Sequence, residues 1–166
     1  MDNSDPARAY LAGLKMVAVR ELSEAQVRTR LARREFEADH IDAAVTRLRA
    51  EGAINDARTA RAIARTAAAI RGQGKRRARL RVDAAGIDRA TASAAVDEVF
   101  AEIDGPALLR AALNRRLRGR TELADRKEKA RLFRYLIGQG FEADRVMEVL
   151  RSLRVLDGER GGRGER

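Results

Sequence analysis

The chain has 166 residues, enough for one or two ordinary domains or a short array of small ones. It contains no cysteine, no tryptophan and one histidine, which excludes disulfides, thiolate metal sites and cysteine nucleophiles and leaves no classical zinc site. The 35 basic residues outnumber the 25 acidic ones, and this balance favours a polyanionic partner, either nucleic acid or an acidic protein surface. The alternative is that the Ala- and Arg-rich composition reflects genomic base content alone.

Helical periodicity runs through every long segment, and caps and glycines predict where the helices begin and end. Asp5-Pro6 is typical of a helix start, and Ser23 with Gln26 and Asp125 with Glu128 each form a predicted capping box. The predicted helices span about 6–20, 23–34, 37–51, 55–70, 75–85, 88–103, 105–117, 125–139 and 143–153.

The same apolar pattern occurs three times along the chain, with copies roughly 50 residues apart. Its six positions follow at intervals of 4, 5, 5, 4 and 3 residues in each copy. The copies are Val27, Leu31, Phe36, Ile41, Val45 and Leu48; Ala78, Val82, Ile87, Ala92, Val96 and Val99; and Leu132, Leu136, Phe141, Val146, Leu150 and Leu153. Stripes of this kind are core positions rather than functional ones.

These patterns predict an all-α protein of three tandem three-helix repeats that form an elongated, curved body. The repeats are assigned to residues 7–53, 54–104 and 105–155, with disordered segments at 1–6 and 156–166. Gly86 and Gly140 stand at equivalent turns, where a left-handed backbone is expected, whereas the first repeat has Glu35 there.

One unbroken basic run lies in the middle repeat and predicts an exposed basic ridge on the helix from 75 to 85. Acidic residues are absent between its ends, so the run is more than a solvated face of mixed charge. Its members are Arg71, Lys75, Arg76, Arg77, Arg79 and Arg81. The segment Gly72–Lys75 is not a phosphate-binding Walker loop, because the spacing, the following Ser or Thr and the preceding strand are missing.

Several motifs in this frame resemble the RecX family of recombination regulators. Leu48–Gly52 followed by Ile54–Arg58 is similar to the family's Leu-x-x-x-Gly, hydrophobic, Asp-Ala-Arg pattern. The segment Arg71–Arg77 resembles its Arg-Gly-aromatic-Gly motif leading into a basic helix, and 128–141 follows the third-repeat pattern. The resemblance covers about residues 9–153; Ala53, Thr59 and Gln73 stand where the family often has aromatic residues.

The resemblance implies a non-enzymatic protein, without cofactor or metal, that binds the RecA filament on single-stranded DNA and mainly inhibits its ATPase and strand exchange. The basic run would then contact acidic RecA surface or DNA phosphate, with Arg58, Arg115 and Arg116 as further candidates. We expect a cytoplasmic monomer without a membrane segment: there is no secretory signal, and no apolar stretch approaches the roughly 20 residues that a spanning helix needs.

Two alternatives from other classes stay open. The three-helix units could bind DNA directly in the manner of helix-turn-helix domains, although the helices that would read the bases begin Glu-Ala-Asp-His at 37–40 and Glu-Ala-Asp-Arg at 142–145. A helical adaptor unrelated to recombination would explain the repeats and leave the basic run unexplained.

Overall fold

The computed structural model describes residues 5–156, which form nine α-helices in three groups of three. The first unit contains α1 (Pro6–Val19), α2 (Glu24–Ala32) and α3 (Ala38–Ala50); the second contains α4 (Asp56–Arg65), α5 (Lys75–Asp83) and α6 (Arg89–Ala101); and the third contains α7 (Gly105–Leu117), α8 (Arg126–Gly138) and α9 (Ala143–Arg151). The expected all-α repeat fold is confirmed. Within the described residues, no helix is both long and apolar enough to cross a bilayer.

The expected caps start most of the helices. Asp5 accepts a hydrogen bond from the Ala7 N–H, and Ser23 forms a complete capping box with Gln26. Asp125 caps α8 as predicted, but the Glu128 carboxylate accepts from the Ala124 N–H and from Arg120 instead of completing a capping box. The box predicted there is therefore wrong, because the arginine in the preceding loop draws the carboxylate away.

Each unit has its own apolar core, built on the repeated pattern. All positions of the repeated pattern are buried except Phe36 and Leu153. These two are half-buried against the first and third cores. The second core contains alanine and valine where the third contains leucine. A row of small separate cores is the packing typical of an elongated repeat array, and the curvature and exact unit boundaries stay predictions.

Two short features were not predicted. Residues Thr66–Ile70 form a π-helical turn that prolongs α4, and the pairs β1 (Glu122–Leu123) and β2 (Arg154–Val155) make a parallel two-stranded sheet. Helix α9 ends two residues earlier than predicted, and β2 begins directly after the predicted end at residue 153. The two-residue strands are too short for an alternating pattern to show. Of the segments expected to be disordered, residues 1–4 and 157–166 lie outside the described part; Asp5 and Pro6 open α1, and the Leu156 N–H bonds to the Leu123 carbonyl.

The turn between the second and third helices is left-handed in all three units. The backbone φ angle is +74° at Gly86, +89° at Gly140 and +61° at Glu35. In the later units the turn also packs against the unit before it. A Cβ added to Gly86 would lie 2.6 Å from the Ala25 Cβ, and one added to Gly140 would lie 2.3 Å from the Arg77 nitrogen. The Glu35 turn belongs to the first unit, and within residues 5–156 no earlier unit packs against it.

The second and third units are joined at this turn by main-chain hydrogen bonds. The Gly74 N–H donates to the Gln139 carbonyl at 2.8 Å, and the Arg76 N–H donates to the Gly140 carbonyl at 3.3 Å. At the first junction the buried Ser23 hydroxyl donates to the Ala85 carbonyl instead. In each case the start of the second helix of one unit docks on the turn of the next.

We predict that Gly140→Ala is much more destabilising than Gly52→Ala. Both glycines have positive φ (+70° at Gly52), but a Cβ at Gly52 meets nothing within 4 Å, whereas at Gly140 it meets backbone. Strain alone costs about 1 kcal/mol, and the added overlap at the junction raises the loss to about 3 kcal/mol. Urea unfolding, followed by circular dichroism, gives the free energy of unfolding of each variant. Equal losses of stability in the two variants would contradict the role of Gly140 in the junction.

Candidate functional site

The outer face of α5 carries the most exposed part of the basic run. Ala78 and Val82 are fully buried against the second core, so residues on the opposite side of the helix face solvent. Arg76, Arg77 and Leu80 are exposed there. The buried alanine and valine positions of α5 thus determine which side of the helix faces solvent.

Two other members of the run are engaged within the protein. The Lys75 ammonium lies 2.8 Å from the Asp97 carboxylate, and the Arg79 guanidinium donates to Asp83 at 2.8 Å and to the Arg89 carbonyl at 3.1 Å. Exposed ion pairs of this kind are weak and can be exchanged for a partner's groups. These residues nonetheless contribute less free positive charge than the sequence alone suggested.

Arg81 is half-buried and fixed by the loop that precedes α5. Its Nε donates to the Gln73 side-chain oxygen at 2.6 Å, and the Gln73 amide in turn donates to Gln139 of the third unit at 3.3 Å. Burial, and then the nearby charges of Arg71 and Arg77, lower the pKa of Arg81. Arg71 and Arg77 therefore each lie close enough to Arg81 to repel its charge.

Arg115 reaches this cluster from the third unit. A Cβ added to Gly72 would lie 1.7 Å from its guanidinium nitrogen Nη2, so the group occupies the space beside that glycine. We call Arg71, Arg76, Arg77, Arg81 and Arg115 together the basic surface. Within residues 5–156, none of these except Arg81 has a side-chain hydrogen bond or ion pair that would neutralise or occupy it.

Arg58 and Arg116 lie apart from the basic surface. The Arg58 guanidinium spans the junction between units one and two, where it donates to Glu21 at 2.7 Å and to the carbonyls of Gly52 and Ala53. Its donors are used within the protein, so it is a structural residue here. Arg116 lies over the Tyr135 ring at 5.1 Å. It also borders a cavity of 450 Å³ that Arg118, Arg120 and Arg131 line.

Two aliphatic side chains in this region were missed by the sequence reasoning. Leu80 is 57% exposed between the arginines of α5, and Ile70 is 74% exposed at the end of the π-helical turn, next to Arg71. The signal for Leu80 was its spacing, since it lies outside the buried line of Ala78 and Val82. The π-helical turn, which shifts the register before Ile70, has no recognisable signal in the sequence.

The described residues contain no group of three or more His, Asp or Glu side chains that could hold a metal ion. Thr59 and Gln73, two of the three positions singled out in the resemblance, are buried polar residues. The Thr59 hydroxyl lies 3.3 Å from both the Leu22 carbonyl and a Glu21 carboxylate oxygen. Both residues therefore make polar contacts between units.

Comparison with known proteins gives a consistent family. The family model for the first three-helix domain of RecX matches residues 9–48, and that for the third three-helix domain matches residues 102–150. Regulatory protein RecX of Halorhodospira halophila is 33% identical over 137 residues, covering 81% of each chain. Regulatory protein RecX of Pelodictyon phaeoclathratiforme is 27% identical over 157 residues, covering 95% of this chain and 94% of that one.

Solved structures agree in fold. RecX from Lactobacillus salivarius superposes with a TM-score of 0.69 at 22% identity, over 90% of this chain and 97% of that one. A second structure, described as regulatory protein RecX, gives a TM-score of 0.71 at 19% identity, over 90% and 73% of the two chains. With relatives of this similarity along most of its length, the chain belongs to the RecX family of regulatory proteins.

Proposed function

We propose that this protein is a non-catalytic cytoplasmic monomer that binds the RecA filament on single-stranded DNA through the basic surface and lowers its ATPase and strand-exchange activity. The names of its relatives support a regulatory role. The arrangement of charge and apolar surface supports a protein partner.

The observation that carries the proposal is the presence of Leu80 among unpaired arginines. A phosphate backbone is bound by cations and hydrogen-bond donors, and an aliphatic side chain adds little to such a contact. An acidic protein surface with an apolar pocket would bury Leu80 and pair with the arginines around it. Burying this side chain would contribute about 1.5 kcal/mol.

The basic surface also draws on two units. Arg71, Arg76, Arg77 and Arg81 belong to the second unit, and Arg115 belongs to the third. A surface that crosses a junction suits a partner that is itself a polymer, because adjoining units can contact adjoining protomers and gain avidity.

Direct DNA contact is the second candidate, and the cavity beside Arg116 favours it. Four arginines line that cavity against one acidic residue, Glu128, which is already bonded to Arg120. In contrast, α3 and α9 have Glu37 and Glu142 at their N-cap positions, and neither side chain makes a capping bond. Those two helices would bring negative charge toward a duplex, so DNA contact would involve the cavity and not the helix starts.

We predict that Arg76→Ala with Arg77→Ala weakens suppression of RecA ATPase at least about tenfold, because two unpaired charges facing an acidic surface are lost. The measurement is ATP hydrolysis on single-stranded DNA, with the protein titrated well below one per RecA. Arg134→Ala with Arg151→Ala is the matched control, since both residues are exposed and lie on α8 and α9, outside the basic surface. No suppression by the wild type at equimolar concentration would refute the proposal.

We predict that Leu80→Asn separates the two candidate functions. The substitution removes apolar surface without changing charge, so binding to RecA filaments should weaken about tenfold while binding to duplex DNA alone stays within about twofold. Filament cosedimentation and fluorescence anisotropy with labelled duplex provide the two measurements. If the substitution weakens neither binding to filaments nor binding to duplex DNA, Leu80 has no role at the interface. That result would count against a protein partner.

A further inference from the structure

The two junctions between units have equivalent positions, but the side chains at these positions make different contacts. At the first junction, the third and fourth residues of α4, Arg58 and Thr59, bond the two units together. Arg58 bonds to Glu21 and to two carbonyls, and Thr59 bonds to Leu22. The cavity of 570 Å³ that remains there is lined mainly by polar side chains: Glu24, Arg28, Arg49, Asn55, Asp56, Asp88 and Thr91.

The corresponding residues of α7 cannot make these hydrogen bonds at the second junction. Asn55 and Asp104 are equivalent N-caps, because each side chain accepts a hydrogen bond from the third residue of its helix. Counting from these caps, Ala107 takes the place of Arg58, and Leu108 takes the place of Thr59. Neither side chain can donate a hydrogen bond to the neighbouring unit.

The second junction contains an apolar groove in the place of the polar cavity at the first. Its volume is 680 Å³, and it lies between the second and third cores. Apolar side chains from both units line it: Phe100, Leu108, Leu109, Phe141 and Val149. A volume of this size is sufficient for two or three side chains of a bound segment.

The charge at the edge of the groove indicates the character of its occupant. Lys75 is paired with Asp97, and Arg145 is paired with Glu148. Arg76 and Arg110 also line the groove and have no ion-pair partner within residues 5–156. They face a single remaining acid, Glu142, so the edge carries a surplus of positive charge.

One helix start adds to this surplus. α5, of nine residues, begins at the groove without a side-chain cap, whereas the Asp104 carboxylate already caps α7. The positive end of the α5 dipole favours a carboxylate nearby. The apolar floor and the positive edge therefore select the same kind of ligand, one with an apolar anchor between acidic residues.

We propose that this groove is a docking site for a protein segment that carries a leucine or phenylalanine flanked by carboxylates. The anchor side chain would pack on Leu108, Phe141 and Val149, and the carboxylates would pair with Arg76 and Arg110. The site is distinct from the outer face of α5, although Arg76 borders both. The proposal does not depend on RecA being the partner.

The test uses the full chain and fluorescently labelled octapeptides, with binding followed by anisotropy. Two probes place leucine or phenylalanine between pairs of Asp and Glu, a third replaces the acids by Lys, and a fourth replaces the anchor by Ser. We expect micromolar binding of the acidic apolar probes and at least about tenfold weaker binding of the other two. Failure of both acidic probes to bind at millimolar concentration, or equal binding of the Lys probe, would overturn the proposal.

Variants locate the bound probe. Arg110→Glu changes an exposed residue of the edge, and Leu108→Thr introduces the residue that the first junction has at this place; each should weaken binding at least about fivefold. Arg134→Glu, an equal charge change on the outside of α8, should leave it unchanged. Circular dichroism confirms that each variant is folded. Unchanged binding in both groove variants would place the peptide elsewhere and refute the site.

Discussion

The contact between the Gly74 loop and the Gly140 turn is the constraint on which the functional surfaces depend. It joins two units through main-chain hydrogen bonds at 2.8 and 3.3 Å, with no room for a Cβ on either glycine. Because main-chain atoms are held directly, the start of α5 has one position relative to the third unit. That position brings Arg115 of the third unit beside Gly72, the residue that follows Arg71.

The left-handed turn between the second and third helices of each unit is subject to two separate requirements. A left-handed residue is needed to end the second helix of each unit, and glycine adopts it with least strain. In the second and third units glycine is also required because the turn packs on the preceding unit. Glu35 meets only the first requirement, since no other unit within residues 5–156 packs on this turn, and the cost there is the backbone strain of a non-glycine residue. The residue at this turn thus distinguishes the first unit from those that follow.

The sequence predicted what depends on neighbours within one helix or one unit. The buried pattern, the caps at Asp5, Ser23, Asn55, Asp88 and Asp125, and the left-handed turns all follow from such spacing. What it could not predict depends on contacts between units or on register. Arg58 matched a family motif, but its bonds to Glu21 arise from a junction 37 residues away along the chain. The π-helical turn before Arg71 is a matter of register. The pairing of Lys75 with Asp97 joins two helices of one unit, which a pattern within a single helix does not show.

The two junctions differ in the groups that hold the units together. The first is closed by hydrogen bonds from Arg58, Thr59 and Ser23, all directed to groups within the protein, so it has few polar groups left for a partner. The second is held by main-chain bonds on one side and left apolar on the other, where Leu108 replaces a hydrogen-bonding residue. Apolar surface held open between fixed units is costly in water unless something covers it in use. The unpaired arginines of the basic surface come from both units that meet at this second junction. The basic surface and the apolar groove therefore lie side by side where the second and third units meet, with Arg76 on the border of both.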